Sequence, residues 1–409
     1  MKGPILHVSA EAERMLRFGH PWLYDRAISR QRGKGKTGDL ATIYDRRDRF
    51  LALGLYDARS PIRVRVLQRM KPAVIDEAWF RQRMAQAFAR REPIRKDPQR
   101  TTGYRLIHGE NDDLPGLILD RYADTLVLKL YTAAWASQLA AVVSAISAEW
   151  PESRLVLRLA RNVDVKQAAP VRLAQGALAD GSTLIGEPPK GAIRFEERGL
   201  LFEADPVRGH KTGFFLDQRE NRALAESLSR GKEVLDVFAY TGAFAIAAAR
   251  GGARAVLGVD VNAHALQVAR RHVRLNQGIS GVAKAKFAWT EGDAFAVLDA
   301  MTRRRQQFGL VLVDPPSFAK SMADVTVALA AYEKLTALAL GLVARGGAVM
   351  VSSCSSQVDA DAFYRSVTRV VRGSGKRMEE IARTAHPVDH PVGFPEGSYL
   401  KGWFARRAG

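Results

Sequence analysis

The groups best equipped for chemistry lie in the C-terminal half of the chain. Asp314-Pro315-Pro316-Ser317-Phe318 follows the apolar run LVLV, and Cys354, the only cysteine in the sequence, lies in AVMVSSCSS. Two successive prolines lock φ and remove two backbone donors, which leaves a carboxylate and backbone carbonyls facing whatever enters; Phe318 could stack on a flat base. A thiol emerging from a strand end is suited to nucleophilic attack. Carbon 5 of a pyrimidine is too electron-poor to take a methyl group from a sulfonium. A thiolate added at carbon 6 turns carbon 5 into an enamine- or enolate-like nucleophile. A free thiol has a pKa of ~8.5, so such a site must supply positive potential or a base. Asp314 could hold the polar edge of the base and support protonation at ring nitrogen 3. The bland alternatives are a stiff turn and a cysteine that fills the core.

A second group of residues suits a nucleoside cofactor. The strand EVLDVFAY carries Asp236, Phe238 and Tyr240 into Thr241-Gly242 and a helix, the next strand ends in Asp260, and a third ends in Asp293-Ala294. In a doubly wound sheet, ligands bind at the carboxyl ends of the strands near the switch point. Asp260 is placed to take both ribose hydroxyls, Asp293 an adenine amino group, and Gly242 allows close backbone approach. No G-x-G-x-x-G is present, so the acids match S-adenosylmethionine better than a nicotinamide dinucleotide; singly, each could be a helix N-cap. Upstream, GHKTGFFLDQRENR packs Lys211, Thr212, Gly213, Gln218 and Arg219 into a turn suited to a carboxylate, with Phe214 and Phe215 as a lid. The alternative is a linker with a capped helix. His386 and His390 read as turn residues, and Tyr399 and Lys401 as neighbours of the substrate on a closing strand.

Around these groups, short strands apolar on both faces (EVLDVFAY, AVLGVD, LVLVDPP, AVMVSSCS) alternate with helices, which indicates a parallel sheet covered on both sides. The first ~70 residues read as short strands with turns. In PIRVRVLQR, Ile62, Val64 and Val66 alternate with Arg63 and Arg65, which predicts a small β-barrel with outward guanidiniums. A helix is expected over 75–100, ending near Pro93 and Pro98, and IRFEERGLLFEAD reads as a hairpin turning at Arg198-Gly199. The expected domains are 1–73, 74–205 and 206–409.

With 409 residues and 47% hydrophobic content the chain is globular. Its formal net charge is +19, of which residues 1–100 supply +12, pointing to a polyanionic partner, nucleic acid first. A single cysteine excludes an intrachain disulfide and a cysteine-based metal cage, so no metal is expected, and a reducing, cytoplasmic location is the simple reading. No apolar run reaches the ~18 residues of a membrane span, and the N-terminus lacks a signal-like apolar segment.

Taken together, GHKTGFFLDQR, DVFAYTGAFA, DPPSFAKS, VSSCSS and HPV…PEGSYLKG resemble the bacterial 23S ribosomal RNA cytosine-carbon-5 methyltransferases that carry an N-terminal PUA domain. HPWLYDRAI and YRLIHGENDDLPGLILDRY are similar to that family's PUA and central segments, so the resemblance covers nearly the whole chain. It implies an α/β protein: a Rossmann-like class I methyltransferase domain with a seven-stranded, mostly parallel sheet, a PUA β-barrel and a central α/β domain. It places S-adenosylmethionine near the 211–219 turn, Asp236, Phe238, Thr241, Gly242, Asp260 and Asp293, and the nucleophile on Cys354. Some RNA cytosine methyltransferases carry a cysteine directly after the fourth-strand proline; Ser317 stands there in this chain, which leaves the fifth-strand thiol. The implied partner is RNA, 23S rRNA first; a homodimer is left open. Methylation of uridine carbon 5 or of an exocyclic nitrogen, and a non-catalytic assembly factor, are the competing readings.

Overall fold

The structure, a computed structural model, describes residues 3–161, 163–164 and 178–409; the stretch 165–177 of the expected central domain lies outside them. The chain forms two compact units. Met1–Gly199, Glu203–Leu216 and Val388–Phe394 make the first, and Leu200–Phe202, Asp217–Pro387 and Pro395–Gly409 the second.

The first unit holds two sheets. Strands β1 (Ile5–Val8), β2 (Trp22–Tyr24), β3 (Ile28–Arg32), β4 (Leu40–Tyr44), β5 (Phe50–Tyr56) and β6 (Ile62–Arg69) form a six-stranded sheet in the order β2-β6-β5-β4-β1-β3, with helix α1 (Ala10–Arg17) after β1. The expected barrel is an incompletely closed sheet: no β2–β3 ladder occurs among the described residues. Strands β7 (Gly103–His108), β8 (Leu117–Tyr122), β9 (Thr125–Leu130), β10 (Arg154–Leu159) and β11 (Thr183–Ile185) form the second sheet. Helices α2 (Glu77–Ala89), α3 (Glu92–Arg95) and α4 (Leu139–Glu149) accompany it. Pro93 lies in the first turn of α3, where no backbone donor is needed, so it opens a helix instead of ending one.

The period-two reading of β6 fails on one face. Val64 and Val66 join Leu6 and Ile43 in one core, whereas Leu67, with Leu55, packs into the core of Phe80, Leu106 and Trp135. The boundary drawn at 73/74 therefore runs through one compact unit, and Arg65, on the Leu67 face, is buried, 3.9 Å from Asp57. Arg63 turns back to donate to the carbonyls of Asp57 (3.0 Å) and Ala58 and lies 3.7 Å from Asp25. Neither guanidinium is an outward phosphate grip. Exposed positive charge lies instead on β3 and the loop after it, at Arg30, Arg32, Lys34 and Lys36.

A buried charge network ties this unit together. Arg91 grips Asp112 through two bonds of 2.9 and 2.6 Å and donates to the Asp389 carbonyl at 2.9 Å. Arg105 grips Asp120 at 2.7 and 2.9 Å, and its backbone N–H donates to Asp389 Oδ2. Asp389 is thus buried, as is His390, read as a turn residue, whose ring lies tilted 5.0 Å from that of His108.

Strands β12 (Ile193–Glu197) and β13 (Leu200–Ala204) pair as the expected hairpin; Arg198 (φ 50°) and Gly199 (φ 77°) are both left-handed, as a type I′ turn requires.

The second unit is a seven-stranded sheet. It comprises β14 (Glu233–Val237), β15 (Ala255–Asp260), β16 (Lys286–Glu291), β17 (Phe308–Val313), β18 (Val343–Ser353), β19 (Met378–Thr384) and β20 (Lys401–Arg407), ordered β16-β15-β14-β17-β18-β20-β19. The first five in that order run parallel, and β20 is antiparallel to both β18 and β19. The order reverses at β14, which puts the switch point between β14 and β17. Helices α5 (Arg219–Ser227), α6 (Ala243–Arg250), α7 (Ala263–Leu275), α8 (Ser280–Lys284), α9 (Ala294–Arg303), α10 (Val325–Leu342) and α11 (Ala360–Gly373) connect the strands. Helix α10 is long and apolar enough to cross a membrane, but it carries Glu333 and Lys334 mid-helix and buries Tyr332, Leu335 and Ala339 in the core of this unit.

Replacing Arg91 with Met should destabilise the protein by about 3 kcal/mol, because the Asp112 charge stays buried with its bidentate partner gone and only Arg90, 2.8 Å from Oδ1, left to pair with it. Urea titration reads this directly; a change below about 1 kcal/mol would show that the pair is dispensable.

Candidate active site

The segment that leaves β14 is wound unusually. Phe238 (φ 63°), Tyr240 (φ 48°) and Gly242 (φ 75°) all adopt left-handed backbone. For aromatic side chains this is strained and persists only where the surroundings impose it. The imposing contacts are visible. Tyr240 N–H donates to Asp260 Oδ2 and Asn262 N–H to Oδ1, each at 2.8 Å. His272, fully buried on α7, bonds the Thr241 carbonyl through Nδ1 at 2.9 Å. A Cβ on Gly242 would meet the Trp289 ring at 2.8 Å and Ala269 at 2.9 Å, so this glycine is needed for packing as well as for its φ.

Beneath the loop, Asp236 is buried and accepts from Ala245 N–H at 3.0 Å. Burial, and after it the charge of Asp314, pushes its pKa up to about 8, with Asp260 adding to the rise. Thr241 Oγ1 is buried without a hydrogen-bond partner among the described residues.

Asp314 follows β17. Its N–H bonds the Val237 carbonyl at 3.3 Å, and its Oδ1 accepts from Gln218 Nε2 at 2.7 Å and from Ser352 Oγ. Asn221 fixes the Gln218 amide by donating to Oε1 at 2.5 Å. The half-buried Cys354 lies just past β18, its Sγ 3.7 Å from the Pro315 carbonyl, so the Asp-Pro-Pro turn and the thiol do meet. Tyr332, bonded to Ser353 Oγ at 2.9 Å, is also near; burial pushes its pKa up to about 12, with Cys354 and Asp314 contributing. The Lys401 side chain, 2% exposed, donates to the carbonyls of Ser355, Val358 and Tyr399. Tyr399 itself donates to Asp217 Oδ2 at 2.9 Å, and His386 Nε2 accepts the N–H groups of Tyr399 and Leu400.

Other expected positions are occupied differently. Asp293 is exposed and caps α9 by accepting from Ala296 N–H at 2.9 Å, with Ala294 buried behind it. Phe318 packs 5.1 Å from Tyr332 and 6.4 Å from Phe295, part of the core's edge more than an open platform. Pro315 is buried and Pro316 exposed. Gln218 and Arg219 are buried in the second unit, Arg219 Nε 3.1 Å from Glu220. Lys211, Thr212 and Gly213 belong to the first unit, where Thr212 donates to Asp120 at 2.6 Å and bonds Tyr122, and the Lys211 ammonium lies over Phe215. Sequence reasoning overlooked His272, Ser352, Asn221, Trp289 and Tyr332. His272, Ser352, Trp289 and Tyr332 act on residues distant along the chain, and Asn221 reaches Gln218 one helical turn back, which no local motif marks.

Residues 6–69 match the PUA-like domain, and residues 175–392 match the S-adenosylmethionine-dependent methyltransferase profile. The chain belongs to the S-adenosylmethionine-dependent methyltransferases. It is 43% identical to a ribosomal RNA large subunit methyltransferase of Deinococcus radiodurans, over 98% of this chain and 96% of that protein. It is 35% identical to ribosomal RNA large subunit methyltransferase I of Citrobacter koseri, over 96% of this chain and 97% of that protein. A candidate S-adenosylmethionine-dependent methyltransferase from Streptococcus mutans, 21% identical, shares the fold with a TM-score of 0.81 over 99% of this chain and all of that one. A solved methyltransferase complexed with SAH aligns with a TM-score of 0.82 at the same identity, covering 99% of this chain and 100% of that one.

The cofactor of this methyltransferase is S-adenosylmethionine. The residues of the second unit fit it: Asp260 is fixed by two amides and can still accept hydroxyls, and the unpartnered Thr241 hydroxyl awaits a polar group.

The raised pKa of Asp236 has a sign. Between about pH 4 and 8 the folded protein keeps a proton that the unfolded chain has lost, so this group's stabilisation is full at low pH and disappears as pH rises toward 8. Asp236→Asn, which retains an acceptor for Ala245, should remove a stability slope of up to ~1.4 kcal/mol per pH unit. Urea titrations of both proteins at about pH 5, 6 and 7 check it; parallel curves would mean that Asp236 is ionised when folded.

Proposed function

We propose that this methyltransferase transfers a methyl group from S-adenosylmethionine to carbon 5 of a cytosine in large-subunit (23S) ribosomal RNA, working in the cytoplasm. The observation that carries the reading is Cys354 Sγ against the Pro315 carbonyl, beside a carboxylate, Asp314, fixed by Gln218 and Ser352. The names of the relatives at 43% and 35% identity support the ribosomal RNA target. In this reading residues 1–73 bind RNA, 74–205 form a central domain and 206–409 hold the catalytic domain.

Asp260, Thr241, Tyr240, Gln218 and Asp236 hold the cofactor, which supplies an electrophilic methyl group on a sulfonium. The Cys354 thiol gives its proton to solvent and its sulfur bonds to carbon 6 of a flipped-out cytosine. Nitrogen 3 takes a proton from solvent as the ring loses aromaticity, and the Asp314 carboxylate accepts a hydrogen bond from that N–H. Carbon 5 forms its bond to the methyl group as the methyl–sulfonium bond breaks, both electrons of that bond staying on sulfur as a neutral thioether. Loss of the carbon-5 and nitrogen-3 protons with breaking of the carbon–sulfur bond restores the ring and frees the thiolate. The net change is hydrogen for methyl at carbon 5, with one proton released.

RNA carrying 5-fluorocytosine cannot lose hydrogen from carbon 5, so it should remain attached to the protein, and peptide mass mapping should place the adduct on Cys354. Cys354→Ala should give no adduct and no methyl transfer while binding S-adenosylmethionine as the wild type does. Methylation that survives in Cys354→Ala would move the target to an exocyclic nitrogen, and a modified uridine in the product would correct the base.

The exposed cations at Arg30, Arg32 and Lys34 replace Arg63 and Arg65 as the proposed phosphate contacts. Converting all three to Ala should lower RNA affinity and reduce the slope of log affinity against log salt by about 0.7–0.9 per lost contact, measured between about 50 and 200 mM salt. An unchanged slope would move RNA binding elsewhere.

A further inference from the structure

Lys401 is a buried cation that makes no direct contact with a carboxylate among the described residues. On β20 and 2% exposed, its ammonium donates to the carbonyls of Ser355, Val358 and, at 3.0 Å, Tyr399. Three N–H groups meet three acceptors, so the protonated form is satisfied, whereas a neutral amine, with two, would leave one carbonyl stranded. Among the described residues no carboxylate lies within 4.0 Å of Lys401. A buried charge is costly unless an opposite charge lies near.

Ser355 and Val358 bracket the turn that carries Cys354 away from β18. We propose that Lys401 is the positioning residue of Cys354: it clamps the 354–358 turn by its carbonyls, and its ammonium is the counter-charge of the thiolate. The inference rests on the reading of Cys354 as the nucleophile. In the ionisation the thiol proton passes to water, sulfur keeps the electron pair, and Lys401 keeps all three of its protons.

The charged and titratable groups around the pair are few. Burial pulls the Lys401 pKa down to about 8, while Cys354 and then Asp359 oppose that fall, so the side chain is mainly cationic at neutral pH. Tyr332 on α10 stays neutral there, with its pKa at about 12. Asp314, after β17, carries charge of the same sign as a thiolate and opposes it. Asp359 is exposed and caps α11 by accepting from Ala362 N–H at 2.7 Å.

Because Cys354 is the only cysteine, iodoacetamide followed by intact-mass measurement reads this thiol alone. Against the wild type, Lys401→Met should raise the pH midpoint of alkylation by about one unit or more, roughly a tenfold slower reaction near pH 7. Lys401→Arg should bring the midpoint back toward the wild type. Asp359→Asn keeps a good helix cap and should lower the midpoint by a few tenths of a unit. An unchanged midpoint in a Lys401→Met protein that still binds S-adenosylmethionine overturns the proposal; if that variant does not fold, an unchanged midpoint in Asp359→Asn overturns it. Alkylation needs no RNA, so the two readings fail separately. A shifted midpoint without a 5-fluorocytosine adduct would keep the clamp and remove the carbon-5 chemistry.

Discussion

One carboxylate oxygen holds the carboxyl end of the parallel strands together. Asp314 Oδ1 receives Gln218 from the turn before α5 and Ser352 from β18, while the Asp314 backbone is tied to β14 through Val237. Three segments far apart in sequence therefore meet at one residue, at the point where the strand order reverses. Cys354 is two residues beyond Ser352, and Pro315 is the next residue after Asp314, so the short approach of sulfur to the Pro315 carbonyl follows from this knot. The prolines keep the turn from competing for the same acceptors, since neither has an N–H.

The strained loop above β14 is the counterpart of that knot. Left-handed backbone at Phe238 and Tyr240 turns successive peptide groups so that Tyr240 N–H reaches Asp260. The cost of order 1–3 kcal/mol per strained residue is offset by buried partners: His272 on the Thr241 carbonyl, and the Trp289 ring against two glycines, Gly242 and Gly258. Such strain is common at ligand-binding loops, and if this loop holds the cofactor as proposed, it is organised before the ligand arrives.

Much of this was legible in the sequence, and for identifiable reasons. Strands buried on both faces announce themselves as continuous apolar runs, and the acid at each strand end marks the edge where ligands bind. The hairpin at Arg198-Gly199 was legible from the glycine between two alternating runs, since glycine takes left-handed backbone without steric cost, whereas Arg198 is held there by the turn. Arg65 was misread because alternation shows that two faces differ, without saying that the second is exposed; a second core covers it. Asp293 carries the same local signal whether it caps a helix or meets an adenine, and the structure shows the cap. The bonds of Thr212 to Asp120, of Arg105 to Asp389 and of Lys401 to the 355–358 turn were not legible because the partners lie far apart in the chain.

The electrostatics of the second unit then impose a requirement of their own. Asp236, Asp260 and Asp314 lie close enough for the last two to raise the pKa of the first, after burial has done most of that work. Such an end of a sheet favours a cofactor that carries positive charge on sulfur and nitrogen, since each cation brought in relieves carboxylates that repel one another. The same field opposes any anion made beside it. A thiolate at Cys354 is such an anion, and hydrogen bonds from neutral groups alone would leave it at a disadvantage near Asp314. The buried ammonium of Lys401 on β20, held by carbonyls of the turn that follows the cysteine, has the opposite sign, and under the proposed chemistry its placement would let an acid-rich cofactor site and a nucleophilic sulfur share a strand edge.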